Sequence, residues 1–247
     1  MIKRSLWKHL ITVSLLKNSW SLARKRVGYL NKRNNNHKFI NEFNPDISVF
    51  NTDCRDYLLS FNAGEGYENF NDFLISEAEE YCVSGEGVTY IIWNYRNESD
   101  SNEKEVVAYF TLSANAIPYI DRIRLDEKEA LELGKEFDEE NWGITVIEIK
   151  MFAVNDKYQD LFYIYDGDEL PVSAWCLRAI VNYTNELNES VLAFKALFLH
   201  SVPDAEEFYL KNGFQDMKVN MYPFCSIDSD MKPMWMPLKN IYMNYDK

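Results

Sequence analysis

Cysteine and histidine are scarce in this 247-residue chain. Its four cysteines (Cys54, Cys82, Cys176, Cys225) lie far apart and form no C-x-x-C pair, and the three histidines give no metal-ligand spacing with them. Neither a disulfide framework nor a zinc site has a pattern to rest on, and isolated thiols suit a reducing cytosol, so a cytoplasmic location is expected. No apolar run approaches the roughly eighteen residues of a membrane helix. No repeat of about 20–50 residues recurs, which argues against a solenoid or a propeller. A Ser-His-Asp pattern and a P-loop are also missing, so hydrolase and kinase chemistry have no motif to rest on.

What remains is globular: 47% of residues are apolar and 15% aromatic, enough for a substantial core in one generous domain or one domain with an appendage. The charge is unevenly placed. The net value is −13, yet the first fifty residues hold ten Lys/Arg against two acids. An acidic body repels phosphate backbones, so nucleic acid is expected to meet this chain only through the basic N-terminal part. That part begins Met-Ile-Lys-Arg and carries an apolar run, Leu10 to Leu16, which Lys17 ends; Arg24-Lys25-Arg26 and Lys32-Arg33 follow. A charged start, an apolar middle and Ser21-Leu22-Ala23 imitate a signal peptide, but the middle is short and more positive charge succeeds it. A basic amphipathic helix, docking on the acidic body, a partner or RNA, fits better. The expected division is a basic extension and linker over 1–45 and a folded domain over 46–247.

The domain reads as mixed α/β. Asp56–Leu59 and Phe70–Tyr81 show helical patterning, Val88–Tyr95 and Val106–Leu112 read as adjacent strands, and the charge run Asp121–Glu140 as a solvated helix. A strand follows from Ile144 to Val154, then a helix whose apolar face includes Val172, Trp175, Ala179, Ile180, Tyr183 and Leu187, then an apolar strand, Val191 to Leu199. Pro203 suits a first helical position, Ala205, Phe208 and Tyr209 fall on one helical face, and Gly213 reads as a stop. Two strands near Phe214–Tyr222 and Met234–Leu238 complete an α/β order with a mixed sheet.

The segment Ala205-x-x-Phe208-Tyr209-x-Lys211-x-Gly213-Phe214 resembles the closing signature of the GNAT N-acetyltransferase superfamily. The resemblance covers roughly residues 46–238. It implies a mainly antiparallel central sheet with helices on both faces, acetyl-CoA as co-substrate, and Tyr209 as the general acid that protonates the departing thiolate. Phe152-Ala153-Val154-Asn155-Asp156 looks like the family's fourth strand, where main-chain groups of Phe152, Ala153 and Val154 would hold the pantetheine arm. Glu148, on the same strand, stands where several members keep a general base. Phe61-Asn62-Ala63-Gly64 with Phe70-Asn71-Asp72-Phe73-Leu74 and Ala78 resembles a spacing in toxin-type GNAT proteins that acetylate aminoacyl-tRNA.

One stretch departs from the family. A pyrophosphate loop of the form Q/R-x-x-G-x-G/A would here be Gln159, Asp160, Leu161, Phe162, Tyr163, Ile164, with Phe162 and Ile164 on the two glycine positions. Side chains there crowd the close backbone approach that glycine permits. Each functional residue also has a structural reading. Glu148 and Lys150 share a strand face and suit cross-strand pairing, Phe208-Tyr209 can be plain core, and His200 at a strand end can touch substrate or solvent. The expected function is N-acetyl transfer to a small-molecule or peptide amine, by a chain that is open to homodimer formation. A GNAT-fold interaction module with weak cofactor binding, and a tRNA-directed acetylating toxin, are the alternatives.

Overall fold

The fold is described from a computed structural model for residues 37–96, 103–165, 167–221 and 230–238. Most of the expected basic extension, residues 1–36, lies outside the described residues, as do Asp166, Tyr222 and Cys225. The unit below runs from Lys38.

Strands β1 (Lys38–Phe39) and β2 (Pro45–Val49) come first, then a short 3-10 turn and helix α1 (Arg55–Leu58). Helices α2 (Glu68–Asp72) and α3 (Ala78–Ser84) are joined by a π turn, Phe73–Glu77, in which the Ala78 amide reaches back to the Phe73 carbonyl. Next are β3 (Val88–Tyr95), β4 (Lys104–Arg124), α4 (Glu127–Leu133) and β5 (Phe137–Val154). A single turn α5 (Asp156–Gln159) leads into β6 (Leu161–Tyr165) and β7 (Asp168–Pro171). The long helix α6 (Val172–Ser190), β8 (Ala196–Ser201), a 3-10 turn at Pro203–Ala205, α7 (Glu206–Lys211), β9 (Gln215–Asp216) and β10 (Lys232–Pro237) complete the elements of the described residues.

Seven strands form the central sheet in the order β2-β3-β4-β5-β8-β10-β9. Every pairing is antiparallel except β5 with β8, which is parallel. Apolar side chains fill both faces, as alternation on a doubly covered sheet requires. On one face Ile92, Phe110, Ile147, Ile149, Leu197 and Leu199 pack against Cys176, Leu177 and Ile180 of α6 and Tyr209 of α7. On the other face Ile91, Trp93, Tyr109 and Ala153 pack against Leu58 of α1, Phe73, Leu74 and Ala78. Lower on that second face, Ile144, Val146, Phe198 and Trp235 form a further cluster. Each such large side chain, taken fully out of water, contributes about 1.5–3 kcal/mol, so these layers dominate the stability of the sheet.

The charged segment is mostly not a helix. Asp121 to Arg124 and Phe137 to Glu140 are the ends of β4 and β5, which pair as a long ribbon, and Arg122 Nε meets Glu139 Oε1 at 3.0 Å across it. Only Glu127–Leu133 is helical. Asp126 caps it by accepting the Glu129 amide at 2.8 Å, and Gly134 at φ +66° ends it. Cross-strand pairing with a long partner overrides the solvated-helix pattern of a charge run. The strand expected from Val191 begins instead at Ala196, because α6 continues to Ser190 and leaves Val191 and Leu192 exposed in the turn. Of the strand expected near Phe214–Tyr222, the described residues retain Gln215–Asp216 alone.

Candidate functional site

The parallel pairing within the central sheet creates an opening. β5 and β8 run side by side from Val146↔Ala196 to Ile149↔Leu199, and no pairing between them continues. β5 goes on to Val154 and β8 to Ser201, so the two strands part beyond Ile149 and Leu199. A bulge marks the same place: Thr111 faces Met151 and Leu112 faces Ile149, which leaves Lys150 as the extra residue. A bulge bends a strand and re-aims its side chains. Here it sets Glu148 below the fork, and Phe152, Ala153 and Val154 along its upper arm.

Glu148 is buried, at 7% exposure. Its Oε2 accepts from Asn115 Nδ2 at 2.8 Å, and its Oε1 lies 3.6 Å from Nδ1 of His200. Burial would raise its carboxyl, but the contacts from His200 and Asn115 and the charge of Lys150 outweigh that and hold it below the ordinary carboxylate range. Lys150 itself leans on Glu86 at 3.9 Å and over the Tyr81 ring, so the two residues take separate partners, and Glu148 finds its own across the strands in Asn115 of β4 and His200 of β8. His200 was one of two readings in the sequence, and nothing in the pattern around Asn115 marks it as a partner.

Tyr209 lies on the other face. Its ring is buried edge-on between Phe208 (5.3 Å) and Phe214 (5.6 Å), and burial raises its hydroxyl well above the usual tyrosine value. No hydrogen bond to that hydroxyl is found among the described residues. Gly213, at φ +95°, lets the chain reverse after α7 so that the Phe214 amide returns to the Tyr209 carbonyl at 3.1 Å.

The stretch expected as an anion loop is a strand. Phe162 and Ile164 belong to β6, opposite Pro171 and Glu169 of β7, and Phe162 also aligns with Phe39 of β1. The reason is local: Leu-Phe-Tyr-Ile-Tyr is β-forming throughout, and Gly167 at φ +87° supplies the turn. Gln159 is turned inward, where its Nε2 donates to the carbonyls of Ala63 (2.9 Å) and Val154 (2.8 Å). Asp160 ends α5. The segment Asn62–Gly64 is thus fastened to the end of β5, and Asn62 Nδ2 adds a bond to Asp156 at 2.9 Å.

A mixed sheet that forks at its one parallel pair, with a helix carrying Phe-Tyr after the departing strand, is matched among solved structures. One is AtaT complexed with acetyl-methionyl-tRNAfMet, at 19% identity over 78% of this chain and 95% of that chain, with a TM-score of 0.50. The chain has the GNAT fold. Two further matches are AtaTR bound with acetyl-CoA (20% identity, 78% and 93% coverage, TM-score 0.50) and a bacterial toxin (14%, 79% and 91%, TM-score 0.50). At these identities the likeness is one of fold. No family model and no curated protein matches the chain. At the fork, Tyr209 lies on one face of the sheet and Glu148 with His200 on the other. Among the described residues no helix is long and apolar enough to cross a membrane, and no group of three acids, cysteines or histidines could hold a metal.

Proposed function

We propose that this protein is an N-acetyltransferase that moves an acetyl group from acetyl-CoA to a primary amine by direct attack. The observation that carries the reading is the fork: a thioester lying between β5 and β8 is open to Tyr209 from one face and to an amine from the other. Main-chain groups of Phe152, Ala153 and Val154 would hold the pantetheine arm, and amides near the fork would polarise the carbonyl, the electrostatic help that acyl transfer most needs. Burial keeps the Tyr209 hydroxyl protonated, the form that a leaving thiolate requires. The same dry surroundings penalise the thiolate too, so burial does not widen the gap that the proton must cross.

The fit to acetyl-CoA is uneven along the molecule. The acyl end meets an open fork. For the diphosphate, the paired strand holding Phe162 and Ile164 replaces the glycine cradle, and Gln159 is committed to Ala63 and Val154. That replacement favours a second reading, an interaction module on a GNAT fold with weak cofactor affinity. A third reading concerns the acceptor. AtaT, a neighbour in fold, is solved with acetyl-methionyl-tRNAfMet, and a tRNA acceptor would find its phosphate contacts in the basic N-terminal extension rather than on the acidic domain. The dispersed thiols fit a cytoplasmic location.

Calorimetry with acetyl-CoA separates the first two readings. Binding heat and a thermal shift support the enzyme; neither at millimolar cofactor would sink it. Release of free coenzyme A thiol in the presence of spermidine, kanamycin or methionyl-tRNA then names the acceptor class. Growth arrest on expression, relieved by Tyr209→Phe, supports the tRNA acceptor, and normal growth at high expression counts against it.

A further inference from the structure

We infer that His200 is the group that takes the proton from the attacking amine, and that Glu148 and Asn115 position it. This rests on the acetyltransferase reading and assigns a residue to its unfilled role.

His200 follows Leu199, the last residue of β8 to pair with β5, so it stands at the vertex of the fork. Its other neighbour in register is Pro233 of β10, which has no N–H to offer. The ring meets Phe198 edge-on at 4.8 Å, and its Nδ1 faces Glu148. Both oxygens of Glu148 are thereby engaged, one by Asn115 and one by the imidazole. A carboxylate so occupied is poorly placed to remove a proton itself. It is well placed to hold the imidazole proton on Nδ1, which leaves the lone pair on Nε2.

That lone pair is the unexplained feature of the site. Nε2 of His200 is buried and has no hydrogen-bond partner among the described residues. Buried polar atoms are nearly always paired, and an exception calls for a cause. At the vertex of a fork that opens to an amine, the cause is an N–H donor that arrives with the substrate. In the transfer, the C–N bond forms as the amine attacks the thioester carbonyl and the C–S bond breaks. The proton lost from nitrogen goes to His200 Nε2, and the thiolate takes the Tyr209 proton. Solvent returns one proton from imidazolium to tyrosinate, so the cycle closes without a co-reactant. Glu148, opposite charge to the imidazolium, steadies it while it is charged.

The test uses full-length protein and whichever of spermidine, kanamycin or methionyl-tRNA gives thiol release with the wild type. His200→Gln is expected to keep its melting temperature and its acetyl-CoA heat while kcat falls roughly a hundredfold or more. In His200→Gly, added imidazole is expected to restore part of the rate, which no structural role would do. A His200→Gln variant that keeps kcat within about threefold overturns the assignment. Glu148→Gln leaves the imidazole in place: a lower kcat at unchanged KM supports positioning, and an unchanged kcat overturns it. A wild type that binds no acetyl-CoA and releases no thiol with any acceptor fails the acetyltransferase reading itself, and the role of His200 falls with it.

Discussion

Phe152 of β5 and Phe208 of α7 stack with ring centroids 6.4 Å apart and planes at 27°. The contact ties β5, beyond its last pair with β8, to the helix that follows β8. It therefore fixes how far the fork can open on the Tyr209 face.

Phe208→Ala removes that tie. Phe208 is only partly buried, so the loss of stability should lie at or below the lower end of the aromatic-to-alanine range, about 2–3 kcal/mol in chemical denaturation. The KM for acetyl-CoA should rise more than kcat falls, because the width of the opening changes and the reacting groups do not. Unchanged melting and unchanged KM would show that the stack holds nothing.

Tyr209→Phe should leave stability within about 0.5 kcal/mol, since the ring contacts with Phe208 and Phe214 survive and the hydroxyl bonds to no described residue. If the hydroxyl supplies the leaving-group proton, kcat should fall by about 10²–10⁴. A large drop in melting temperature with little loss of rate would instead mark the residue as plain core.

Glu148 is held below its ordinary value of 4.5 in the folded chain, so the unfolded chain binds more protons near that pH. Its contribution to stability is present above about pH 4.5 and is lost as pH falls through the lower, folded value. Unfolding free energies from urea titrations of wild type and Glu148→Gln should accordingly differ at pH 6, by about 1–3 kcal/mol, and converge under acid conditions. A gap that is constant with pH would show that the carboxylate charge contributes nothing.

Gly87 directly precedes β3 and lies against Thr111 and Leu112 of β4, next to the bulge in β5. A Cβ there would meet Thr111 Cγ2 at 2.9 Å and the Leu112 carbonyl oxygen at 3.0 Å. Gly87→Ala should cost about 1–3 kcal/mol by overpacking. Gly143, beside which a Cβ meets nothing, serves as the control, and equal effects at the two sites would refute the steric account.

Much of this architecture could be read from residue order. Pro203, the Phe208-Tyr209 face and the Gly213 stop all lie within one short segment, so local chemistry specifies them. The ribbon end of β4 and β5 could not be read, because Asp121–Arg124 are strand only by virtue of partners at Phe137–Glu140, and charge runs carry no mark of their partner. The strand at Phe162 was hidden for a related reason: the family pattern predicts a loop there, and β propensity with Gly167 wins. At the site, Tyr209 and Glu148 were visible as types in a pattern. The link between Glu148 and His200 spans fifty-two positions and exists only because β5 and β8 run parallel, which no single segment encodes.

The short parallel seam has a consequence for motion. Between Val146–Ile149 and Ala196–Leu199 runs the one stretch of continuous strand pairing that joins β2-β3-β4-β5 to β8-β10-β9 among the described residues, with a Lys195 amide to Thr145 carbonyl bond below it and an isolated Tyr119–Met221 bridge at the far end. Four residue pairs are a narrow zip between two broad plates. Amides of the two plates should therefore exchange with solvent as separate cooperative units, with the seam amides following whichever unit opens first. A molecule wedged into the fork would stitch the plates together, and its arrival would be recorded as merged exchange rates on both sides of the zip rather than as a change of shape.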